Sequence, residues 1–337
     1  MNSQHKYYNA LNIVCGGDYT EIKRTLAKSQ NALKTLNKKS GVDAEKEWQR
    51  LEKLGASLIL KEDDNYPDLL KQIPWPPFGI YTLGNINYPT PAIAIVGTRS
   101  ATPQGKELSR YFANNLAAAG LPIISGLAMG IDEQAHHGTL EAGGKTIAVL
   151  GTPLNRLYPK QNERLALEIL GKDGGIISEF PLTQEYHPQN FLIRNRIISG
   201  LTNGILVIEA PEKSGSLATA KFALEQNREV FVIPGNIGAK NYKGSNELIK
   251  AGATPVTSPD DILNYFNINI TQQRKEKNNK TANPEEKAII ELLKNGDKLT
   301  AEQLWRNTKI EIASLNKNLA KLTVKGIIKE SNGKYYL

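Results

Sequence analysis

The segment AIAIVGTRSATPQG, Ala92 to Gly105, passes from an apolar, β-branched run into a turn and then into a helix start. The run ends at Gly97, where the lack of a side chain lets the backbone approach a ligand. Thr98 and Ser100 follow with hydroxyl donors, and Arg99 adds a rigid fork of donors matched to phosphate oxygens. Thr102 before Pro103 has the form of an N-cap followed by a first-turn proline. A strand, a ligand-ready turn and a helix in this order make half of a βαβ unit, and an anion is the natural guest of the turn.

The same unit recurs along the chain. LPIISG, KTIAVLG, GGIISEF, GILVIEA and EVFVIPG are short runs closed by glycine, proline or a polar residue, with helical patterns between them. Runs that are apolar throughout suit strands buried on both faces. The alternation predicts an α/β fold with a Rossmann-like, doubly wound parallel sheet. Ligands of such sheets sit beyond the carboxyl ends of the strands.

The other strand ends carry chemistry similar to the opening turn. Ser125, Gly126 and Gly130 permit close approach, and Lys160 lies in GTPLNRLYPKQN. Arg194 and Arg196 lie in FLIRNRIISG, and Ser214-Gly215-Ser216 stand at a predicted helix N-terminus. Two residues apart on a helix, Arg194 and Arg196 face different ways, so at most one need reach a shared crevice. The blander alternative, a glycine that only makes the turn and a solvated Arg99, loses ground because several loops repeat the pattern. Tyr158 and Phe191 offer a stacking face. Asp132 suits a helix start favoured by the dipole. Glu179 and Glu209 are expected to make structural hydrogen bonds, and His136-His137 to pack or lie on the surface.

The 337 residues hold 42 Lys and Arg against 34 Asp and Glu, a formal charge of +8 that favours polyanionic partners. One cysteine, Cys15, excludes an internal disulfide, and with four histidines it gives no zinc spacing, so no metal is expected; no cofactor is expected either. The N-terminus lacks the apolar core of a signal peptide, and no run approaches the roughly 18 apolar residues of a membrane helix, so a cytoplasmic protein is expected. Residues 1–70 have polar helical patterns and 71–268 hold the core, with NYPDLLKQIPWPPFGIYTLGN as an irregular connector at their junction. Residues 269–284 have the composition of a basic linker. Residues 285–337 show three helical patterns and a hairpin signal at Asn332-Gly333, the outline of a winged helix-turn-helix, with Thr300 and Gln303 as a capping box. There Ile312, Leu315, Leu319 and Leu322 form a core face, Lys317, Lys321 and Lys325 a stripe, and Asn316 and Asn318 are candidate base readers.

GTLEAGGKTIAV imitates a P-loop, but Gly138 stands one residue too far from Gly144-Lys145-Thr146 and the segment leads into a strand. No dinucleotide glycine fingerprint follows the opening strand. The chain resembles the DNA-processing protein A family, also called Smf. The resemblance rests on YPDLL with IPWPPFGIYTLGN, IAIVGTRSATPQG, SGLAMGIDEQAH, GGKTIAVLGTPLNRLYPKQN, FLIRNRIISGL, SGSLATA, VFVIPGN and GSNELIKAGA, in order from about Asn65 to Phe266. It implies a Rossmann-like core that binds single-stranded DNA and helps to load a RecA-type recombinase in natural transformation. It further implies a helical N-terminal module, DNA-backbone contacts by Arg99 and Lys160, and a homodimer whose interface lies near Asn246, Leu248 and Ile249.

Two other readings compete. Lysine-decarboxylase-like nucleotide phosphoribohydrolases carry P-G-G-x-G-T-x-x-E where this chain has PEKSGSLAT; Gly215-Ser216 match its Gly-Thr, but Thr219 replaces the glutamate that serves as base. A winged-helix transcription regulator would instead prefer one duplex sequence. The expectation is a non-enzymatic, single-stranded-DNA-binding protein whose phosphate-binding residues are Gly97, Thr98, Arg99, Ser100, Gly126, Lys160, Arg194, Arg196, Ser214, Gly215 and Ser216.

Overall fold

The computed structural model describes residues 3–28, 41–268, 284–294, 298–324, 328–331 and 333–336. They fall into two compact units, Met1–Ile268 and Asn269–Leu337. The first is built on a nine-stranded sheet: β1 (Ser57–Leu60), β2 (Gly79–Gly84), β3 (Ile93–Val96), β4 (Ile123–Ser125), β5 (Thr146–Leu150), β6 (Gly175–Ser178), β7 (Gly204–Val207), β8 (Glu229–Val232) and β9 (Thr254–Pro255). The spatial order is β1-β2-β6-β5-β4-β3-β7-β8-β9. Strands from β6 to β9 in that order pair in parallel, whereas β1 and β2 are antiparallel.

Successive side chains of a strand point to opposite faces. In β5, Ile147 and Val149 join one buried apolar cluster while Ala148 and Leu150 join another, so the strand is covered on both sides. The uninterrupted apolar runs of the sequence follow from this burial. Between β3 and β4 lies a helix, Pro103–Ala118, whose start is set by Thr102: its side chain accepts from the Gly105 N–H, with Pro103 in the first turn.

The N-terminal stretch contains the expected helices, Ser3–Val14, Tyr19–Lys28 and Ala44–Leu54, the last capped by Asp43 and closed by Gly55 in the left-handed conformation. It also contains β1, and the supposed irregular connector contains β2, whose Tyr81 stands opposite Ser178 of β6. The boundary drawn at Leu70 therefore falls inside one compact unit. Asn12 ties the first helix to the core by donating to the Glu179 carbonyl at 3.1 Å.

The second unit has helices Pro284–Leu293, Ala301–Thr308 and Ile312–Val324 with a three-stranded sheet of Leu299–Thr300, Lys329–Ser331 and Lys334–Tyr336. Thr300 and Gln303 form the expected capping box. Leu315, Leu319 and Leu322 are buried as expected, but Ile312 is 58% exposed and does not belong to the core face. Asn318 is buried and donates to Glu285 at 2.8 Å, and Lys321 pairs with Glu286, so two of the surface candidates on this helix are held within the unit. Lys325, Asn332 and residues 269–283 of the linker lie outside the described residues.

Candidate anion-binding crevice

β3 is flanked by β4 on one side and β7 on the other. Chain order reverses there, and the loops leaving the strands part to open a crevice. Its volume is about 280 Å³. Gly97, Thr98 and Arg99 line it from the loop after β3, Ala128 and Asp132 from beyond β4, and Lys213, Ser214, Gly215 and Ser216 from beyond β7. Phe191, Arg194 and Asn195 enter from the helix Gln189–Gly200. A smaller adjoining recess brings Tyr158 and Pro159 to Arg99 and Gly126.

The opening turn is held from behind by Glu209. The Thr98 N–H donates to the Glu209 carbonyl at 2.8 Å. The Glu209 carboxylate, wholly buried, accepts from the Thr102 N–H at 2.9 Å, from the Thr102 hydroxyl, and from Asn241 at 3.3 Å. The anion at the N-terminus of the helix Pro103–Ala118 is therefore the protein's own carboxylate, and an outside anion is left to the exposed Arg99. Gly97 is required by packing as well as approach: a Cβ there would lie 2.5 Å from Ile131 Cγ1.

Arg194 forms the floor. Buried, it donates to the carbonyl of Gly126 at 2.8 Å, to that of Val149, and to Asn195 Oδ1 at 3.2 Å. Asp132 accepts from the Gly126 N–H at 3.1 Å. A Cβ on Gly126 would lie 2.7 Å from both the Arg194 guanidinium and the Asp132 carboxylate, so this glycine makes room for the floor rather than for a ligand. Burial pushes the Asp132 carboxyl up to about 6, against the pull of Arg194, and burial draws Arg194 down to about 10. The floor thus sets a buried carboxyl beside a buried guanidinium, a perturbed setting characteristic of functional sites.

Arg196 is not part of the crevice. It is buried against Glu179, its Nη2 donating to both carboxylate oxygens at 2.6 and 2.8 Å, with its guanidinium 5.8 Å from the Tyr19 ring centre. Glu179 and Glu209 thus hold structural bonds. His136 is buried against the Thr146 hydroxyl at 2.7 Å, and burial draws its imidazole down to about 3.

The rim is cationic and aromatic. The Arg99 guanidinium lies 5.2 Å from the Phe191 ring centre. Lys160 is exposed at the start of the short helical turn Lys160–Asn162, directly after the Tyr158-Pro159 pair that meets Arg99. Ser214 caps the helix Gly215–Glu225 by accepting from the Ser216 N–H, and its hydroxyl lies 2.7 Å from that of Ser216. Asn195 donates to the Gly215 carbonyl at 3.1 Å. Ser100 is exposed beside the turn, its carbonyl accepting from Asn241 at 3.1 Å.

Three contributors escaped the sequence reading. Lys213 is exposed and lines the crevice, and its signal was its position within EAPEKSGSLATA. Asn195 lies between the two arginines that drew attention. Tyr186 packs on Tyr158 and Phe191 from a loop with no periodicity to place it. Elsewhere, Asn246 bonds both the N–H and the carbonyl of Gly235, at 3.3 and 3.1 Å, while Leu248 and Ile249 are half-buried against their own core. Among the described residues no group of three His, Cys, Asp or Glu could hold a metal ion, and no helix is long and apolar enough to cross a membrane.

The family profile described as DNA recombination-mediator protein A matches residues 57–267. Protein Smf of Escherichia coli (strain K12) is 40% identical over 256 residues, spanning 74% of this chain and 68% of that protein. DNA processing protein DprA of Streptococcus pneumoniae is 42% identical over 205 residues, or 60% of this chain and 72% of that protein. The X-ray structure of the Streptococcus pneumoniae protein aligns with a TM-score of 0.63 at 34% identity, over 77% of this chain and 92% of that one. DNA processing protein A from Helicobacter pylori, whose structure is described for its single-stranded DNA binding mode, aligns with a TM-score of 0.56 at 28% identity, over 63% of this chain and 95% of that one.

Proposed function

This chain belongs to the DNA recombination-mediator protein A family, and from that premise we propose that its crevice grips single-stranded DNA by the phosphate backbone without catalysing a reaction. The observation that carries the reading is the exposed Arg99, braced on Phe191, at a crevice whose other exposed cation is Lys213; the exposed Lys160 follows directly in the chain on Tyr158 and Pro159 of the neighbouring recess. The hydroxyls of Thr98, Ser214 and Ser216, residues that line the crevice, add neutral donors. Such a set suits phosphates in series and carries no base sequence information. Handover of the strand to a RecA-type recombinase and pairing of two copies near Asn246, Leu248 and Ile249 extend the proposal on the resemblance alone.

A nucleotide hydrolase is the second reading, favoured by the place of Gly215-Ser216 at the crevice, where the resembling hydrolases have their Gly-Thr. It would need a base, and Thr219 lines the site where the resembling hydrolases place a glutamate. Asp132, the remaining acid of the crevice, is occupied by the Gly126 N–H. A sequence-reading regulator is less favoured because Asn318 and Lys321 are held by acids of their own unit.

The test is equilibrium binding to a labelled single strand and to the corresponding duplex across a salt series. Single strands should bind more tightly. If Arg99, Lys160 and Lys213 each neutralise one phosphate, log K should fall against log salt with a slope of about −2. Failure to bind single strands, together with release of base from nucleoside monophosphates, would transfer the crevice to the hydrolase reading.

A further inference from the structure

Phosphates are common to single and double strands, so the cations of the crevice cannot by themselves distinguish the two. The aromatic rim can. Tyr158, Tyr186 and Phe191 form a three-ring cluster with centroids 5.3, 5.4 and 5.6 Å apart. Phe191 is 9% exposed and lies against the Arg99 guanidinium, so its role is to brace that side chain. Tyr158 and Tyr186 are 38% and 51% exposed. Two large rings are thus left partly in water beside the cation assigned to a phosphate.

We infer that Tyr186, with Tyr158 beside it, is the platform on which a nucleobase of the bound strand stacks, and that this platform makes the crevice selective for single strands. The inference rests on the reading that the crevice holds DNA. In a duplex both faces of each internal base are already covered by its neighbours, and stacking on a tyrosine would require the base to leave the helix. In a single strand the faces are open, and stacking on an aromatic side chain is available to any base. Arg99 and the tyrosines then divide the work: the guanidinium takes a phosphate and the rings take an adjoining base.

The test uses the full chain, Tyr186→Ala and Tyr186→Phe, with three probes: a labelled single strand, the same strand with abasic sites throughout its central part, and a duplex. Tyr186→Ala should weaken binding of the intact single strand by roughly 5- to 100-fold. Affinity for the abasic strand and the duplex should change less than about twofold, and the salt slope should stay the same, because no charge is removed. Tyr186→Phe should retain wild-type affinity, since the ring and not the hydroxyl supplies the stacking face. Equal losses on intact and abasic strands would overturn the platform, as would an alanine variant that binds the intact strand like wild type. Wild-type protein that binds no single strand would overturn both the platform and the DNA reading, whereas tight wild-type binding that is insensitive to Tyr186→Ala would overturn the platform alone.

Discussion

Replacing Arg99 and Lys160 together by alanine is expected to weaken single-strand binding by about 100-fold while the protein stays folded. Hydrogen bonds to charged groups contribute about 1.5–3 kcal/mol, and a point charge on a phosphate adds a smaller share, so roughly 3 kcal/mol is at stake. Neither side chain holds the fold: both are exposed, and the turn is fixed by Glu209 through Thr98 and Thr102 rather than by Arg99. Two fewer neutralised phosphates should reduce the salt slope by about 1.4. The loss should be the same on oligo-dT as on a mixed sequence, because phosphate contacts carry no sequence information. Fluorescence anisotropy at two or more salt concentrations measures all three quantities. Wild-type affinity in a folded double variant would remove both residues from the site.

The largest effect on stability is expected from Glu179→Ala. Glu179 and Arg196 are 6% and 2% exposed, and the contact of Arg196 Nη2 with both Glu179 carboxylate oxygens is the pairing that neutralises the arginine. Removing the carboxylate leaves a buried guanidinium uncompensated, which typically costs about 3–5 kcal/mol. Exchanging both residues at once, Glu179→Leu with Arg196→Met, should recover most of that loss, because the desolvation penalties of both charges disappear together. Urea denaturation of the two variants and wild type reads the difference. A loss below about 1 kcal/mol in Glu179→Ala would show that water reaches the arginine. Arg196 shares the helix Gln189–Gly200 with Arg194, so this pair supports the crevice from outside it.

The parallel part of the sheet was legible because its strands are buried on both faces, and an apolar run such as TIAVL then needs no alternation to be read. The edge was not. SLIL follows directly on a helix, GIYTLG lies among prolines and glycines, and their strand character is decided by pairing across the sheet, as Tyr81 opposite Ser178 shows. The strand-end turns were legible for a related reason: glycine, hydroxyls and cations after an apolar run have few other uses. What local sequence does not contain is the fate of a charge. Arg99 after its strand and Arg194 and Arg196 within the helix Gln189–Gly200 are the same residue type, yet one is exposed, one holds carbonyls in the floor and one is paired with Glu179. Glu209, far along the chain from Thr102, takes the helix N-terminus that the opening turn seemed to offer a ligand. Ile312 fits the apolar face of its helix by periodicity but emerges at the first turn, where the core of the second unit does not cover it.

The claim that a single strand lies in the strand-end crevice is tested most directly by photocrosslinking. A strand carrying 5-iodo-deoxyuridine at successive positions would be irradiated with the full chain and the adducts located by mass spectrometry. The account predicts adducts on Tyr158, Tyr186 or Phe191, the ring cluster beside Arg99. Adducts confined to the second unit, on Trp305, Tyr335 or Tyr336, would contradict it.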